Sequence, residues 1–228
     1  MRDYGSVYEI DVAGLKALHP DLILTQGICD VCAVPESQVL ASVRRTQILT
    51  LDAHDLSAIF ASIRDVGCAT GTVERAETCI ADMERRIGAV RANVANRPRP
   101  RVLALEWLDP PYVPGHWVPE MIDAAGGELL AGIARRPSYR MEWSQLRELE
   151  PEIVLIMPCG FSLEETRREA KRHESELQAI GGRVHVLDAS AYFSRSGPRV
   201  VEGVEILVEA FAAVVSRRRL SRRRIFPA

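Results

Sequence analysis

Apolar residues along the chain fall into short continuous runs that alternate with stretches in which they recur every three or four positions. The continuous runs predict strands, and the spaced stretches predict helices with one buried face. Strands are predicted at 22–24, 48–52, 102–107, 153–156 and 184–188. Helices are predicted at 37–44, 56–66, 119–125, 162–180 and 198–215. Apolar strands that alternate with helices are typical of covered parallel sheets, so the pattern favours an α/β fold.

One sequence motif occurs twice, 131 residues apart. Residues 15–24 and 146–155 share the order Leu-x-x-Leu-x-Pro, an acidic residue, two aliphatic residues and Leu. Each copy predicts a short amphipathic helix that its proline ends, followed by a buried strand. The next predicted strand of each half ends in Leu-Asp-Ala, at 51–53 and 187–189. Two matches in the same order indicate two related α/β halves.

The longest helical signal lies between these halves. Apolar residues recur at three- and four-residue steps from 72 to 96, and Pro98 and Pro100 stop the helix. A helix of about 25 residues is about 37 Å long, enough to join two lobes as a stiff strut. The first half has only two predicted strands, so its lobe looks incomplete. The predicted parts are an α/β lobe at 1–71, a bridging helix at 72–97, an α/β lobe at 98–216 and a basic tail at 217–228.

Composition is that of a globular protein. Hydrophobic residues make up 47% and charged residues 26%, which argues against a disordered or fibrous chain. The longest unbroken apolar run, 210–215, is far shorter than the ~18 residues of a membrane span, so no membrane insertion is expected. The first residues carry no apolar stretch behind their charges. No secretory signal is therefore predicted, and the chain as written would be cytoplasmic.

Charge is unevenly distributed along the chain. Six of the 29 basic residues fall in 217–224, and the other 23 face 31 acidic residues. An acidic body does not follow a phosphate backbone, so binding of nucleic acid would fall to the tail alone and no nucleic-acid partner is predicted. The basic tail is expected to be a solvated, frayed end. Five cysteines are an odd number, and reduced thiols fit them best.

The segments just after the predicted strands are the candidate site, because open parallel sheets bind ligands beyond the carboxyl ends of their strands. Aromatic residues gather in these segments, which suits a large flat ligand. Trp107 and Tyr112 could instead simply cover the end of the sheet. Glu106 and Asp109 could be paired carboxylates, but no complete catalytic motif occurs. The sequence therefore favours a binding protein over an enzyme.

Cysteine and histidine residues in the same segments leave several interpretations open. Cys29 and Cys32 form a Cys-x-x-Cys pair, which alone is weak support for zinc because a structural site needs four ligands. They could also be a redox pair or ordinary loop cysteines. By the repeat, Cys159 falls at the equivalent strand end. His116 could ligate a metal, contact a ligand or be a solvated loop residue.

Five sequence motifs, taken together, are specific enough to indicate a family: PDLILTQ at 20–26, CDVCAV at 29–34, LEWLDPPY at 105–112, GHWVPEM at 115–121 and YFSRSGPR at 192–199. They resemble the cobalamin-binding branch of the class III ABC-transporter substrate-binding proteins. The resemblance implies two Rossmann-like lobes with parallel sheets bridged by one long helix, the class III periplasmic-binding-protein fold. It implies a monomeric, non-enzymatic protein that captures cobalamin or a related corrinoid in the cleft between the lobes. The partner would be an ABC importer permease.

The family's N-terminal strand–helix–strand unit has no counterpart in this sequence. We therefore expect a truncated N-terminal lobe. The family is extracytoplasmic, whereas no export signal is predicted here, so the sequence leaves the compartment open.

The resemblance also implies particular site residues. The ligand-binding set would be Gln26, Cys29, Asp30, Glu106, Trp107, Pro111, Tyr112, His116, Trp117, Tyr192, Phe193 and Arg195. One carboxylate on each lobe would dock on the permease, Glu36 on the first and Glu164 on the second, with Glu165 as the other choice. No catalytic residue, metal or cofactor other than the corrinoid ligand is implied.

Two alternatives remain beside this interpretation. The same fold could bind haem, an iron chelate or a metal ion, with ligands drawn from Cys29, Cys32, His116 and Cys159. The chain could also be a thiol-based enzyme or corrinoid-handling factor that uses Cys29 and Cys32.

Overall fold

The structure is a computed structural model that describes residues 10–28 and 46–223, the last eleven of these by their backbone alone. The chain divides into two compact units, Met1–Ile80 and Ala81–Ala228. The predicted α/β fold, with parallel sheets and helices, is confirmed in the described residues. No helix in those ranges is long and apolar enough to cross a membrane.

The first unit contains a parallel pair of strands and helices on either side of it in sequence. The elements are α1 (Val12–Ala17), β1 (Leu22–Gln26), β2 (Gln47–Leu51), α2 (Leu56–Ala69) and α3 (Val73–Val94), of which α3 ends in the second unit. The side-chain carboxylates of two aspartates cap the first turns of two of the helices. Asp11 accepts a hydrogen bond from the Gly14 N–H at 2.9 Å, and buried Asp55 accepts one from the Ala58 N–H at 2.7 Å. Such caps satisfy backbone N–H groups that have no partner within the helix.

The second unit contains a four-stranded parallel sheet and a small antiparallel sheet. Its elements in chain order are β3 (Arg101–Leu105), β4 (Trp107–Leu108), β5 (Pro111–Val113), α4 (Val118–Ala124), β6 (Glu128–Leu129), β7 (Tyr139–Arg140), α5 (Trp143–Glu148), β8 (Ile153–Ile156), α6 (Leu163–Arg172), α7 (Glu174–Ile180), β9 (Arg183–Val186), α8 (Ala189–Tyr192) and α9 (Val200–Arg223). The parallel order is β6-β3-β8-β9, and β4, β5 and β7 form the antiparallel sheet.

The two central strands of the parallel sheet form the core of this unit. All four residues of β8 are fully buried, as are the last four of β3, because helices cover both faces. Leu146 of α5 and Leu177 of α7 pack in the same buried cluster as Leu105 and Ile156. The strand ends that carry the candidate site therefore start from a rigid core.

Both copies of the repeated motif adopt the same local structure. In each copy the residue before the proline has a left-handed backbone, with φ of 45° at His19 and 46° at Glu150. The strands that follow then pair in parallel with matching register: Ile23 lies opposite Ile48, and Val154 lies opposite Val184. The repeat predicted from the sequence is thus a repeated helix–turn–strand unit.

Several predicted boundaries are wrong. The strand predicted to reach residue 107 ends at Leu105, because the chain turns there into the β4–β5 hairpin. The single helix predicted at 162–180 is two helices that meet at His173, whose ring stacks on Trp143 at 5.8 Å. The last helix was expected to end at 215 but continues to Arg223, so much of the basic segment is helical rather than frayed. The helix predicted at 37–44 lies outside the described residues.

Candidate functional site

The segments that follow β3, β8 and β9 in the second unit are held together by backbone hydrogen bonds. The N–H of Cys159, after β8, donates to the carbonyl of Glu106, after β3, at 3.0 Å. The N–H of Ser190, after β9, donates to the carbonyl of Phe161 at 2.9 Å. Because the strands are parallel, all three segments leave the same edge of the sheet. We call them the strand-end surface, which comprises residues 106–117, 159–161 and 188–199.

Trp107 and Phe161 form a partly exposed aromatic pair on the strand-end surface. Their ring centroids are 5.3 Å apart and their planes are inclined by 70°, an edge-to-face arrangement that the ring quadrupoles favour. The Trp107 Nε1–H donates to the carbonyl of Asp109 at 3.1 Å, which fixes an indole that stays 38% exposed. Tyr112 lies opposite Trp107 in the β4–β5 hairpin. The aromatic residues expected in a loop after β3 are therefore ordered on a hairpin.

Glu106 lies where β3 meets this hairpin. Its backbone N–H donates to the Tyr112 carbonyl at 2.8 Å, and its carboxylate Oε2 accepts a hydrogen bond from the Ser138 Oγ–H. Burial raises the pKa of the Glu106 carboxyl to about 7, although the Ser138 hydrogen bond acts in the opposite direction. Near neutral pH, a carboxyl with this pKa changes between a charged acceptor and a neutral donor.

Ser138 reaches Glu106 because its segment packs directly on Gly115. A Cβ at Gly115 would lie 2.1 Å from the Arg136 carbonyl oxygen and 2.6 Å from the Ser138 nitrogen, so only glycine allows this approach. The N–H of His116 donates to the Arg136 carbonyl at 2.8 Å. His116 has a φ of 50°, and its ring centroid is 6.0 Å from that of Trp117.

Three predicted site residues lie beneath the strand-end surface rather than on it. Pro111, Trp117 and Phe193 are all buried. The Trp117 Nε1–H donates to the Phe193 carbonyl at 2.9 Å and joins two segments that are 76 residues apart in the sequence. These side chains support the surface by packing and hydrogen bonding.

The segment after β9 contributes a tyrosine and two arginines. Asp188 caps α8 by accepting a hydrogen bond from the Ala191 N–H at 2.9 Å, which positions Tyr192 at the end of that helix. The Arg199 guanidinium lies 4.5 Å from the centroid of the Tyr192 ring, within cation–π range. Arg195 is exposed.

Of the predicted site residues in the first unit, only Gln26 is described. It ends β1, opposite Leu51, and is partly buried. Asp52 and His54, just beyond the end of β2, form a pair with 3.1 Å between Oδ1 and Nε2 that the sequence did not single out. The predicted site residues Cys29, Asp30 and Glu36, together with Cys32, lie outside the described residues.

The structure distinguishes the two candidate docking carboxylates at the start of α6. Glu165 forms the capping box with Ser162: its Oε2 accepts from the Ser162 N–H at 2.8 Å and from the Ser162 Oγ–H at 2.7 Å, and its own N–H donates to the Ser162 Oγ at 3.4 Å. These hydrogen bonds lower the pKa of Glu165 below its ordinary value. Glu164 is exposed and takes no part in the box. Glu164 is thus the carboxylate that can contact a partner without disturbing the helix start.

Metal-binding side chains, which the metal alternative requires, do not cluster in the part of the chain that the structure describes. There, no group of three or more His, Cys, Asp or Glu side chains is arranged to hold a metal ion. Cys159 is exposed and is not part of a disulfide. Cys29 and Cys32, on which that alternative also depends, fall outside these ranges.

Three residues of the site are absent from the set of site residues predicted from the sequence. Ser138 is 32 residues from Glu106, and nothing in the pattern between them predicts their hydrogen bond. Phe161 follows β8 and carries the same signal as Trp107, an aromatic residue just beyond a strand. Arg199 falls in the stretch 192–199, but its contact with Tyr192 depends on the turn between α8 and α9.

Comparisons with known proteins agree with this architecture. The model of the family described as periplasmic binding protein matches residues 3–185. Among solved structures, the periplasmic vitamin B12 binding protein BtuF of Vibrio cholerae is 19% identical, with 90% of this chain and 79% of that chain covered and a TM-score of 0.68. A periplasmic heme binding protein from Pseudomonas aeruginosa is 22% identical, with 89% and 76% covered and a TM-score of 0.70.

A third similar structure is an ABC-type Fe3+-hydroxamate transport system from Saccharomonospora viridis, at 16% identity, with 90% and 73% covered and a TM-score of 0.65. At these identities the likeness shows the fold alone. No curated protein matches the sequence.

Proposed function

Because the chain belongs to the periplasmic binding protein family, we propose that it is the substrate-binding protein of an ABC importer and that it binds cobalamin or a related corrinoid. The ligand would contact the strand-end surface of the second unit. Membership in a family of binding proteins favours binding over catalysis. The thiols of the enzyme alternative, Cys29 and Cys32, lie outside the described residues.

The observation that carries this proposal is the aromatic part of the strand-end surface. The indole of Trp107 is exposed beside Phe161 and opposite Tyr112 in the hairpin, at the edge of the sheet where α/β proteins bind ligands. A flat, largely apolar ring system gains most from contacts with rigid aromatic faces. Similarity to the vitamin B12 binding protein of Vibrio cholerae supports a corrinoid as that ring system.

Haem or an iron chelate is the second candidate. The similar structures include a heme binding protein and an Fe3+-hydroxamate transport system. A porphyrin presents the same kind of flat ring to Trp107 as a corrinoid does. The two ligands differ at their edges, where haem carries propionates and cobalamin carries amides, so polar groups of the site must discriminate between them.

Docking on the permease is proposed to use one carboxylate of each unit, Glu36 and Glu164. Glu164 is supported by its exposure in the first turn of α6, directly after the segment 159–161 of the strand-end surface. A carboxylate at this position can pair with a basic residue of a partner that covers the ligand. Glu165 is less suited because Ser162 holds its carboxylate.

Calorimetric titration with cyanocobalamin, hemin and a ferric hydroxamate tests the proposal. We expect saturable binding of cyanocobalamin at micromolar concentration or below. The variant Trp107→Leu should bind roughly tenfold more weakly, since a central aromatic anchor typically contributes more than about 1 kcal/mol.

Trp143→Leu is the matched control, because Trp143 stacks on His173 outside the strand-end surface and its loss should leave the affinity unchanged. Thermal unfolding of both variants checks that they are folded at the titration temperature. Preference for hemin would favour the second candidate. Absence of saturable binding for all three ligands up to millimolar concentration would contradict the proposal.

A further inference from the structure

We infer that Glu106 selects ligands by the polar groups at their edge: it favours neutral N–H donors, such as the amides of a corrinoid, and disfavours carboxylates, such as the propionates of haem. This inference rests on the proposed function, because it assigns Glu106 a role at the same surface. It goes further by naming the group that distinguishes two ligands with similar flat rings.

The geometry holds the Glu106 carboxylate in one place. The backbone of the residue is fixed on both sides, since its N–H donates to the Tyr112 carbonyl at 2.8 Å and its carbonyl accepts from the Cys159 N–H at 3.0 Å. Ser138 occupies Oε2. Among the described residues, no hydrogen bond to Oε1 is found. Glu106 as a whole is partly exposed, although its carboxyl is largely withdrawn from solvent. Oε1 is therefore the carboxylate oxygen without a donor among these residues, and the inference assigns it to the ligand.

The charge of this carboxylate is not neutralised by a neighbouring cation. Titratable groups on the segments that contact Glu106 are Asp109, Tyr112, His116, Arg136, Tyr139, Arg140 and Cys159. The Arg140 guanidinium pairs with Glu142 at 2.8 Å. None of the ion pairs between described residues includes Glu106. Burial and the Ser138 hydrogen bond are the two causes that set its pKa near 7. An N–H group of a ligand would supply the hydrogen-bond donor that Oε1 lacks among the described residues.

Ligand amides and ligand carboxylates interact differently with the Glu106 carboxylate. An amide N–H can donate to the ionised carboxylate, and a hydrogen bond to a charged acceptor is about twice as strong as a neutral one. A ligand carboxylate would bring a second negative charge to a poorly solvated oxygen, which is repulsive unless one of the two groups takes up a proton. Selection of amides over carboxylates follows from this difference.

The inference predicts how affinity depends on pH. Binding that prefers ionised Glu106 should strengthen as pH rises through about 7, because the fraction ionised increases over that interval. For cyanocobalamin we expect up to about a tenfold gain in affinity from pH 6 to pH 8. In Glu106→Gln the group cannot ionise, so the gain should disappear and the affinity at pH 8 should fall roughly tenfold.

A matched pair of ligands tests selectivity directly. Dicyanocobinamide and dicyanocobyrinic acid share the corrin ring, but the first carries amides at its edge and the second carries carboxylic acids. Wild-type protein should prefer the first at pH 8, and Glu106→Gln should reduce that preference. All other side chains are the same in both proteins, so the difference between them isolates Glu106.

Ser138→Ala supplies an independent variant should Glu106→Gln fold poorly. Loss of the Ser138 hydrogen bond removes the contact that lowers the pKa of Glu106, so the pH at which cyanocobalamin affinity rises should shift upward. The inference is overturned if the wild type binds cyanocobalamin while Glu106→Gln shows the same affinity, pH dependence and ligand preference. Failure of the wild type to bind any corrinoid would instead count against the proposed function.

Discussion

At Gly115 the absence of a side chain allows the segment that carries Ser138 to pack against the strand-end surface. The Arg136 carbonyl and the Ser138 nitrogen both lie closer to this position than a Cβ could tolerate. The contact brings the Ser138 hydroxyl within hydrogen-bond distance of Glu106, although the two residues are 32 positions apart in the sequence. One small residue therefore sets the surroundings of the buried carboxylate.

Gly115→Ala should destabilise the protein, because the clash involves backbone atoms that cannot move aside by changing rotamer. We expect a loss of about 2 kcal/mol or more in the free energy of unfolding, measured with urea. Gly88→Ala is the matched control. Nothing lies within 4 Å of a Cβ at Gly88, which is exposed inside α3, so this change should stabilise by about 0.5–1 kcal/mol. Equal stability of the two variants would show that the 133–138 segment is not held as described.

Residue chemistry at the site could be predicted only in part. Trp107 and Tyr112 were noted because they follow a clear strand, and strand ends are where ligands bind. The resemblance to a known family added Glu106 to the predicted ligand-binding residues. The burial of Trp117 and Phe193 could not be predicted, since it depends on the packing of segments 76 residues apart, which the Trp117–Phe193 hydrogen bond joins. Local pattern identifies the segment, whereas tertiary contacts decide which side chains remain exposed.

At the scale of elements, the repeated motif fixes the turn between helix and strand in both units. His19 and Glu150 each occupy a left-handed conformation that L-residues adopt at a cost of roughly 1–2 kcal/mol. The proline that follows cannot continue the helix, so the chain reverses within a few residues and enters the strand. The same turn precedes strand pairs that share one register.

Substitution of Glu150 should reveal this conformation. Glycine is free to adopt a φ of 46°, so Glu150→Gly should leave the stability unchanged or raise it by up to about 1 kcal/mol. Glu150→Val should lower stability by more than about 1 kcal/mol, because a β-branched residue is strongly disfavoured there. Glu84→Gly, at an exposed position in the interior of α3, is the control and should cost about 1 kcal/mol. Urea unfolding measures all three, and a loss in Glu150→Gly as large as that in Glu84→Gly would contradict the turn.

Long, strongly patterned elements were predictable and short ones were not. The five predicted strands correspond to β1, β2, β3, β8 and β9, which carry apolar residues either in a continuous run or, in β9, alternating with polar residues. The two-residue strands β4, β6 and β7 carry too few residues to show a period. The break between α6 and α7 has no glycine or proline signal and coincides with the stacking of His173 on Trp143.

At the scale of the whole molecule, the family could be inferred from sequence but the ligand could not. Five short stretches resembled one family, and its model matches residues 3–185. The similar solved structures include proteins for vitamin B12, heme and Fe3+-hydroxamate on the same fold. The fold alone therefore does not indicate the ligand, and the role proposed for Glu106 rests on a contact with Ser138 that only the structure shows.

The proposed docking on a permease belongs to the scale of the whole molecule, and Glu164→Lys tests it. We expect unchanged ligand affinity but loss of most ligand-dependent stimulation of ATP hydrolysis by the cognate permease in proteoliposomes, since charge reversal removes an attraction and adds a repulsion. Glu128→Lys makes the same charge change in β6, opposite Arg101 at the other end of the sheet, and should have no effect. Equal stimulation by wild type and Glu164→Lys would rule Glu164 out as a docking residue.

The segments after β8 and β9 are already fastened to one another in the folded chain. The Gly160 N–H donates to the Ser194 Oγ at 3.0 Å, beside the bond from Ser190 to Phe161. Loops immobilised during folding need not lose their freedom a second time on association, a cost of about 0.5–1.5 kcal/mol for each side chain that must be ordered. This face of the second unit is thus preorganised, and Ser194 would contribute to the affinity for the proposed ligand without contacting it.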